Sequence, residues 1–210
     1  TKSAVKSFLT IDGPKPVRLL KKVLLVANVP ENGIVLDFFS GSATTADALF
    51  NFNLETSGKR KFILVQLPEI TDKSSDAYND GYKTICDIGE ERIRRTGKKI
   101  RGENPLTTQN LDIGFRCFAV DSSNMKDVYY KPSEYGQMNL DSFMDNIKED
   151  RTPEYLLIQV MLDLGVLLSS KIEQAEIAGK KVFSVADGYL IACFDKDVTD
   201  ETVIEIAKRK

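Results

Sequence analysis

The sequence predicts an α/β fold with parallel strands in its first part, followed by a smaller α+β module. Two short apolar runs, 33–39 and 61–67, flank a helical stretch from Thr44 to Phe50. Strand–helix–strand order makes the two strands parallel neighbours. Near the other end, apolar runs at 181–185 and 189–194 surround Ala186-Asp187-Gly188, and Asp-Gly between such runs signals a hairpin.

Each element has its own warrant. Val17, Leu20, Leu24 and Ala27 recur at helical spacing over 17–29, after Pro14 and Pro16, where proline is tolerated. Pro30-Glu31-Asn32-Gly33 is a turn. The run 33–39 is short, apolar and β-branched, as buried parallel strands are. Thr56-Ser57-Gly58 is a polar turn before the second strand. A single helix is expected over 76–96, with Tyr78, Tyr82, Ile85, Gly89 and Ile93 on one face and Gly97 as its stop. The stretch 102–110 reads as a linker and 115–120 as a strand. Residues 131–150 are polar, with room for one short helix through Leu140, Phe143 and Ile147. Thr152-Pro153-Glu154 opens an apolar helix expected to run to about Gln174, and a last helix begins near Thr199.

The bulk numbers exclude whole classes of function. A chain of 210 residues that is 42% hydrophobic suits one sizeable core, or a core with an appended module. Lys+Arg 29 against Asp+Glu 31 does not announce a nucleic-acid binder, so such a role needs local patches. The absence of histidine removes His bases, His triads and His metal ligands. Cys86, Cys117 and Cys193 form no Cys-x-x-Cys pair, and their spacing fits reduced thiols in a cytoplasmic protein. No stretch matches a membrane span or a signal peptide. The start without Met and the helix-like end lead to the expectation of a fragment of a longer protein.

The informative segment is Leu36-Asp37-Phe38-Phe39-Ser40-Gly41-Ser42-Ala43-Thr44-Thr45. A strand ends in Asp37, and a turn of small residues opens a helix. Ligands of open parallel sheets sit outside the carboxyl ends of strands. Gly41 lets backbone approach a ligand, and the helix N-terminus favours an anionic group. One glycine makes neither a dinucleotide fingerprint nor a P-loop, and an ordinary strand–turn–helix corner with a satisfied Asp stays open on spacing alone.

The order of phrases is more specific. Pro14-Lys15-Pro16, then Asp37 to Thr45, Arg60 to Glu69, Gly81 to Gly89 and Glu91 to Arg95 closely resemble the β-group amino-methyltransferases. Together with Leu111-Asp-Ile-Gly-Phe115, Asp121 to Lys126, Asn146 to Pro153 and Gly188 to Ala192, they are most similar to the modification (Mod) subunit of type III restriction-modification systems. The resemblance implies a partial Rossmann-like sheet, S-adenosyl-L-methionine as cofactor and adenine N6 of DNA as target. It implies a second Mod subunit and a restriction (Res) subunit as partners, with no membrane. The implied organisation is a cofactor-binding half over 1–130, a connector over 131–150 and a C-terminal module over 151–210. The implied cofactor residues are Lys15 and Pro16, near the methionine end, then Asp37, Phe38, Phe39, Ser40, Gly41, Ser42 and Thr44, with Gln66 and Leu67 closing the second strand. Ala43 stands where many relatives have glycine, and Gln66 where they often have an acid for the ribose hydroxyls.

The family transfers the methyl group at an Asp-Pro-Pro-Tyr motif, whose ring stacks on a flipped base. No Pro-Pro pair is present, so no catalytic residue and no metal ligand is assigned. Two other readings stay open: an RNA or small-molecule methyltransferase, and a non-catalytic assembly module. So do the alternatives for three further features. Arg92, Arg94, Arg95, Lys98, Lys99 and Arg101 either meet phosphates or form a solvated helix end. The helix after Thr152 is either an oligomer interface or core packing. Tyr129, Tyr130 and Tyr135 either stack on bases or pack. A methyl-transfer assay on this chain alone is expected to show no turnover, and turnover would overturn the assignment of an incomplete catalytic set.

Overall fold

A computed structural model describes residues 15–106, 108–109, 111–126 and 146–208. The chain divides into two units, 1–117 and 118–210.

The first unit contains α1 (Val17–Val26), β1 (Ile34–Asp37), α2 (Thr44–Thr56), β2 (Lys61–Leu64), α3 (Asp76–Asn79) and α4 (Ile85–Glu103). β1 and β2 pair in parallel, Ile34 opposite Lys61 and Asp37 opposite Leu64, as the strand–helix–strand order requires. This is a two-stranded sheet, and the wider sheet implied by the resemblance is not shown among the described residues. One sheet face is covered: Val35, Phe62 and Leu64 pack on the buried side chains of α2. The other face leaves Ile34 62%, Leu36 59% and Ile63 51% exposed.

α2 buries residues all round, from Thr44 to Asn53. Ala48, Leu49 and Phe52 meet Leu24 of α1, while Ala46 and Phe50 join Ile93 and Ile100 of α4. Its end is clasped by Asn53, whose Nδ2 donates to the Arg60 carbonyl at 2.8 Å and whose Oδ1 accepts Arg60 N. The Arg60 guanidinium also donates to the Val29 carbonyl and lies over the Phe52 ring.

Three expectations for this unit are corrected. The single helix over 76–96 is two helices, because Gly81 has φ +100° and residues 69–71 pair with 83–84 in strand fashion. Thr84 then starts α4 afresh with a capping box: its hydroxyl accepts Asp87 N while Asp87 accepts Thr84 N at 2.8 Å. Tyr78 and Tyr82 therefore do not share a helical face with Gly89 and Ile93. Gly97 does not stop the helix, which runs on to Glu103. It is buried, and a Cβ there would stand 3.1 Å from Ile113, so its role is to let 111–115 lie close on α4. The strand expected at 115–120 has no ladder partner among the described residues; 111–115 is extended, with Leu111, Ile113 and Phe115 turned to the core.

The second unit contains α5 (Pro153–Asp163), β3 (Ile172–Ile177), β4 (Lys180–Val185), β5 (Leu190–Cys193) and α6 (Asp200–Ala207). The three strands form an antiparallel sheet in sequence order. The hairpin at Ala186-Asp187-Gly188 is present, all three residues having positive φ. The helix expected to reach Gln174 ends eleven residues earlier. Gly165, at φ +68°, donates to Leu162 O, and Val166 N reaches back to Met161 O at 2.7 Å, a Schellman stop. Residues 172–177 thereby become β3, joined to β4 through Ala178-Gly179, both at positive φ, the backbone of a tight two-residue hairpin. Thr199 caps α6.

Leu157 and Met161 of α5 pack on Phe183 and Val185 of β4, so core packing holds for the buried face of this helix. The phrase 121–126 is latched within this unit. Asn124 Nδ2 donates to Tyr155 O at 2.9 Å, and Arg151 pairs with Asp121 at 3.0 Å. Leu140 and Phe143, and likewise Tyr129, Tyr130 and Tyr135, lie outside the described residues, while Ile147 bridges to Met125. Phe183 is fully buried, and Phe183→Ala is expected to cost about 3–5 kcal/mol of unfolding free energy. Urea titration checks this, and a loss under about 1 kcal/mol would contradict the packing described.

Candidate functional site

The carboxyl ends of β1 and β2 bring together most of the residues singled out in the sequence. Asp37 ends β1 and spends both carboxylate oxygens locally. Oδ1 accepts Phe39 N at 3.2 Å, and Oδ2 accepts the Thr45 hydroxyl at 2.5 Å. The strand end is thus tied to the first turn of α2. Ser40 N donates to Val65 O, tying the same turn to the continuation of β2. Phe38 and Phe39 stand exposed with ring centroids 5.1 Å apart.

Gly41 has φ +53°, and a Cβ added there would meet no atom within 4 Å. Open space therefore lies on the side of Gly41 where other residues carry a side chain. Its amide is held from the other strand: Gln66 Oε1 accepts Gly41 N at 2.7 Å, and Gln66 Nε2 donates to Leu67 O. Gln66 is thus a clasp between the two strand ends. A carboxylate at that position would accept the amide equally but could not donate to Leu67 O. Leu67 is exposed beside it. Ala43 adopts φ +58°, which explains in backbone terms why glycine suits this position.

Ser42, Thr44 and Thr45 are buried polar residues. α2 starts at Thr44 without a side-chain cap at Ala43. Beneath it stand two partly buried charged side chains, Arg92 and Asp47, that spacing alone did not reveal. Arg92 of α4 donates through Nη1 to Thr44 Oγ1 at 3.2 Å. Asp47, one turn into α2, interacts with the same cation. Burial pushes the Asp47 carboxyl up, with Arg92 and then Lys99 pulling it back, and burial pulls the Arg92 guanidinium down against Asp47.

Lys15 and Pro16 are not brought into the corner by any hydrogen bond or ion pair among the described residues. They are exposed at the start of α1, where the Pro16 carbonyl accepts Leu19 N at 2.9 Å. The basic cluster of α4 is divided. Arg94 pairs with Glu90 at 2.6 Å, Arg95 with Glu91 at 2.7 Å, and Arg92 turns inward. Arg94, Lys98 and Arg101 line an open groove of about 470 Å³ with Gly102, Ile113, Gly114 and Phe115. Among the described residues no group of three or more Cys, Asp or Glu is placed to hold a metal ion, and no helix is long and apolar enough to cross a membrane.

Chemically, the corner offers an open backbone cradle at Gly41, a helix N-terminus favouring an anion, and flanking aromatic rings. Searches with family models find no match. Among characterised proteins, the chain is similar to the type III restriction-modification enzyme StyLTI Mod subunit of Salmonella typhimurium strain LT2. They are 40% identical over 132 residues, which is 63% of this chain and 18% of the relative. The EcoP15I Mod subunit of Escherichia coli is 37% identical over 183 residues, 85% of this chain and 26% of the relative. The EcoPI Mod subunit of Escherichia phage P1 is 33% identical over 170 residues, 80% and 25% respectively. The chain thus spans 18 to 26% of the length of these relatives.

Because burial raises the Asp47 carboxyl above its ordinary 3.8, the folded state binds its proton more tightly than the unfolded chain does. Its contribution to stability is whole below pH 3.8 and is lost as pH rises through the raised value. Stability measured from pH 3 to 7 (about the carboxylate range) is expected to fall relative to Asp47→Asn as pH rises. Parallel curves for the two proteins would remove the burial argument.

Proposed function

Starting from a chain that belongs to the type III restriction-modification Mod subunits, we propose that its first unit binds S-adenosyl-L-methionine at the corner after β1. The observation that carries this is the open, left-handed Gly41, held by Gln66 at the carboxyl end of two parallel strands. Its fit to the cofactor is supported by space where a side chain would stand and by the uncapped start of α2. Asp37, Phe38, Phe39, Ser40, Gly41, Ser42 and Thr44 form the wall, with Gln66 and Leu67 on the facing strand end. Lys15 and Pro16 would approach the methionine end.

The bound cofactor supplies an activated methyl group. The chain's own residues orient it: Asp37 fixes the turn through Phe39 N and Thr45, and the first amides of α2 meet its carboxylate. With its amide given to Leu67 O, Gln66 would have to re-pair to reach ribose hydroxyls. The proposed reaction of the whole protein is methyl transfer to adenine N6 in DNA, in the cytoplasm, together with a second Mod subunit and a Res subunit. The residues that would hold the target base are not assigned in this chain.

The proposed sheet is Rossmann-like and wider than two strands. A second covering layer for such a sheet is supported by the exposed Ile34, Leu36 and Ile63, since parallel sheets are as a rule covered on both faces. The proposed organisation is a cofactor half over 1–130, a connector over 131–150 and a separate module over 151–210, with 121–126 bonded to residues between Asn146 and Gln159.

Calorimetric titration with S-adenosylhomocysteine tests the site. Wild type is expected to bind. Gly41→Asp, a residue type that tolerates left-handed backbone, is expected to weaken binding at least about tenfold, or 1.4 kcal/mol, by placing a carboxylate in the cradle. Equal binding by the two proteins would remove the corner from the site.

A further inference from the structure

Helix α4 contributes a group to the corner that its surface charges conceal. Of its six basic residues, Arg92 alone is shown bonded to α2. Its Nη1 donates to the hydroxyl of Thr44, the first residue of that helix. Its Nε is buried and has no hydrogen-bond partner, so the guanidinium is incompletely solvated where it sits. Thr44 itself is only 4% exposed.

A cation held there adds to the positive end of the α2 dipole. Half-buried as it is, it is screened less than a charge on the open surface. Asp47, one turn into α2, is the nearby carboxylate that acts on it through space, and the exposed Lys99 acts on Asp47 more weakly than Arg92 does. The field at the start of α2 therefore depends on how far Asp47 offsets Arg92.

We infer that Arg92 is a positioning residue that gives the corner its preference for a ligand bearing a carboxylate. This rests on the corner being an S-adenosylmethionine site. Arg92 acts through Thr44 and the first turn of α2, and need not touch the ligand. The Asp47 carboxylate, one turn into α2, tempers the preference.

The test compares two thioethers by titration calorimetry on the same chain: S-adenosylhomocysteine, and S-adenosyl-3-thiopropylamine, which lacks only the carboxylate. Wild type is expected to favour the first. Arg92→Met is expected to lose about tenfold for the first ligand and to keep or gain affinity for the second. Arg92→Lys retains the charge and is expected to keep most of the preference. Asp47→Asn is expected to strengthen the preference, an increase that partial unfolding cannot produce, so it decides the matter even if Arg92→Met fails to fold.

Equal losses for both ligands in Arg92→Met would make Arg92 a purely structural link and overturn the inference, as would an unchanged preference in Asp47→Asn. Wild-type chain binding neither ligand would instead overturn the cofactor site itself, and the inference with it.

Discussion

Helix α2 is buried along most of its length, and the first unit is arranged around that fact. Its small and apolar residues, from Ala46 to Phe52, meet α1 on one side, α4 on another and the sheet beneath. A helix that places apolar side chains on most of its circumference must be largely enclosed. Enclosure in turn dictates where β1 enters and where β2 leaves. The clasp of Asn53 and Arg60 closes one end of α2, and the Asp37–Thr45 bond closes the other. The corner is where this helix begins, at the buried Thr44 and Thr45, so its geometry follows from the core.

The corner is held by side chains from elements far apart in sequence. Gln66 from the end of β2 grips the Gly41 amide, and Arg92 from α4 grips Thr44. Each bond joins a loop or helix end to a residue far away in the sequence. Such bonds limit how far a loop can move, and a ligand site built on them needs less ordering on binding. The same economy appears in the second unit, where Arg151, its side chain 7% exposed, fastens the 121–122 turn through Asp121 and Ser122.

Two features legible as patterns changed meaning on folding. The basic run of α4 is not one patch. Acids one turn earlier neutralise Arg94 and Arg95, and Arg92 turns inward, so exposed positive charge is left mainly at Lys98 and Arg101 beside a groove. Ion pairs one helical turn apart are modest in energy, yet they decide which charges remain for a partner. The apolar stretch after Thr152 is likewise two things: a helix whose Leu157 and Met161 enter the core, and, past Gly165, a segment that joins the sheet.

Local chemistry was sufficient for much of this protein. The β1–α2–β2 order, the parallel pairing, the turn at Ala186-Asp187-Gly188 and the Thr199 cap all follow from short-range signals in the sequence, as do the corner residues from Asp37 to Thr44. The tertiary structure decided what depends on distant partners. Pairing of 69–71 with 83–84 split one expected helix into α3 and α4. Contact with Ile113 turned Gly97 from a stop into a packing glycine. A partner strand made β3 out of an expected helix end. The Gln66 clasp and the Arg92–Thr44 bond also belong here, because hydrogen bonds across 25 and 48 residues leave no periodicity to read. Propensity and spacing report neighbours along the chain, and these features are set by neighbours in space.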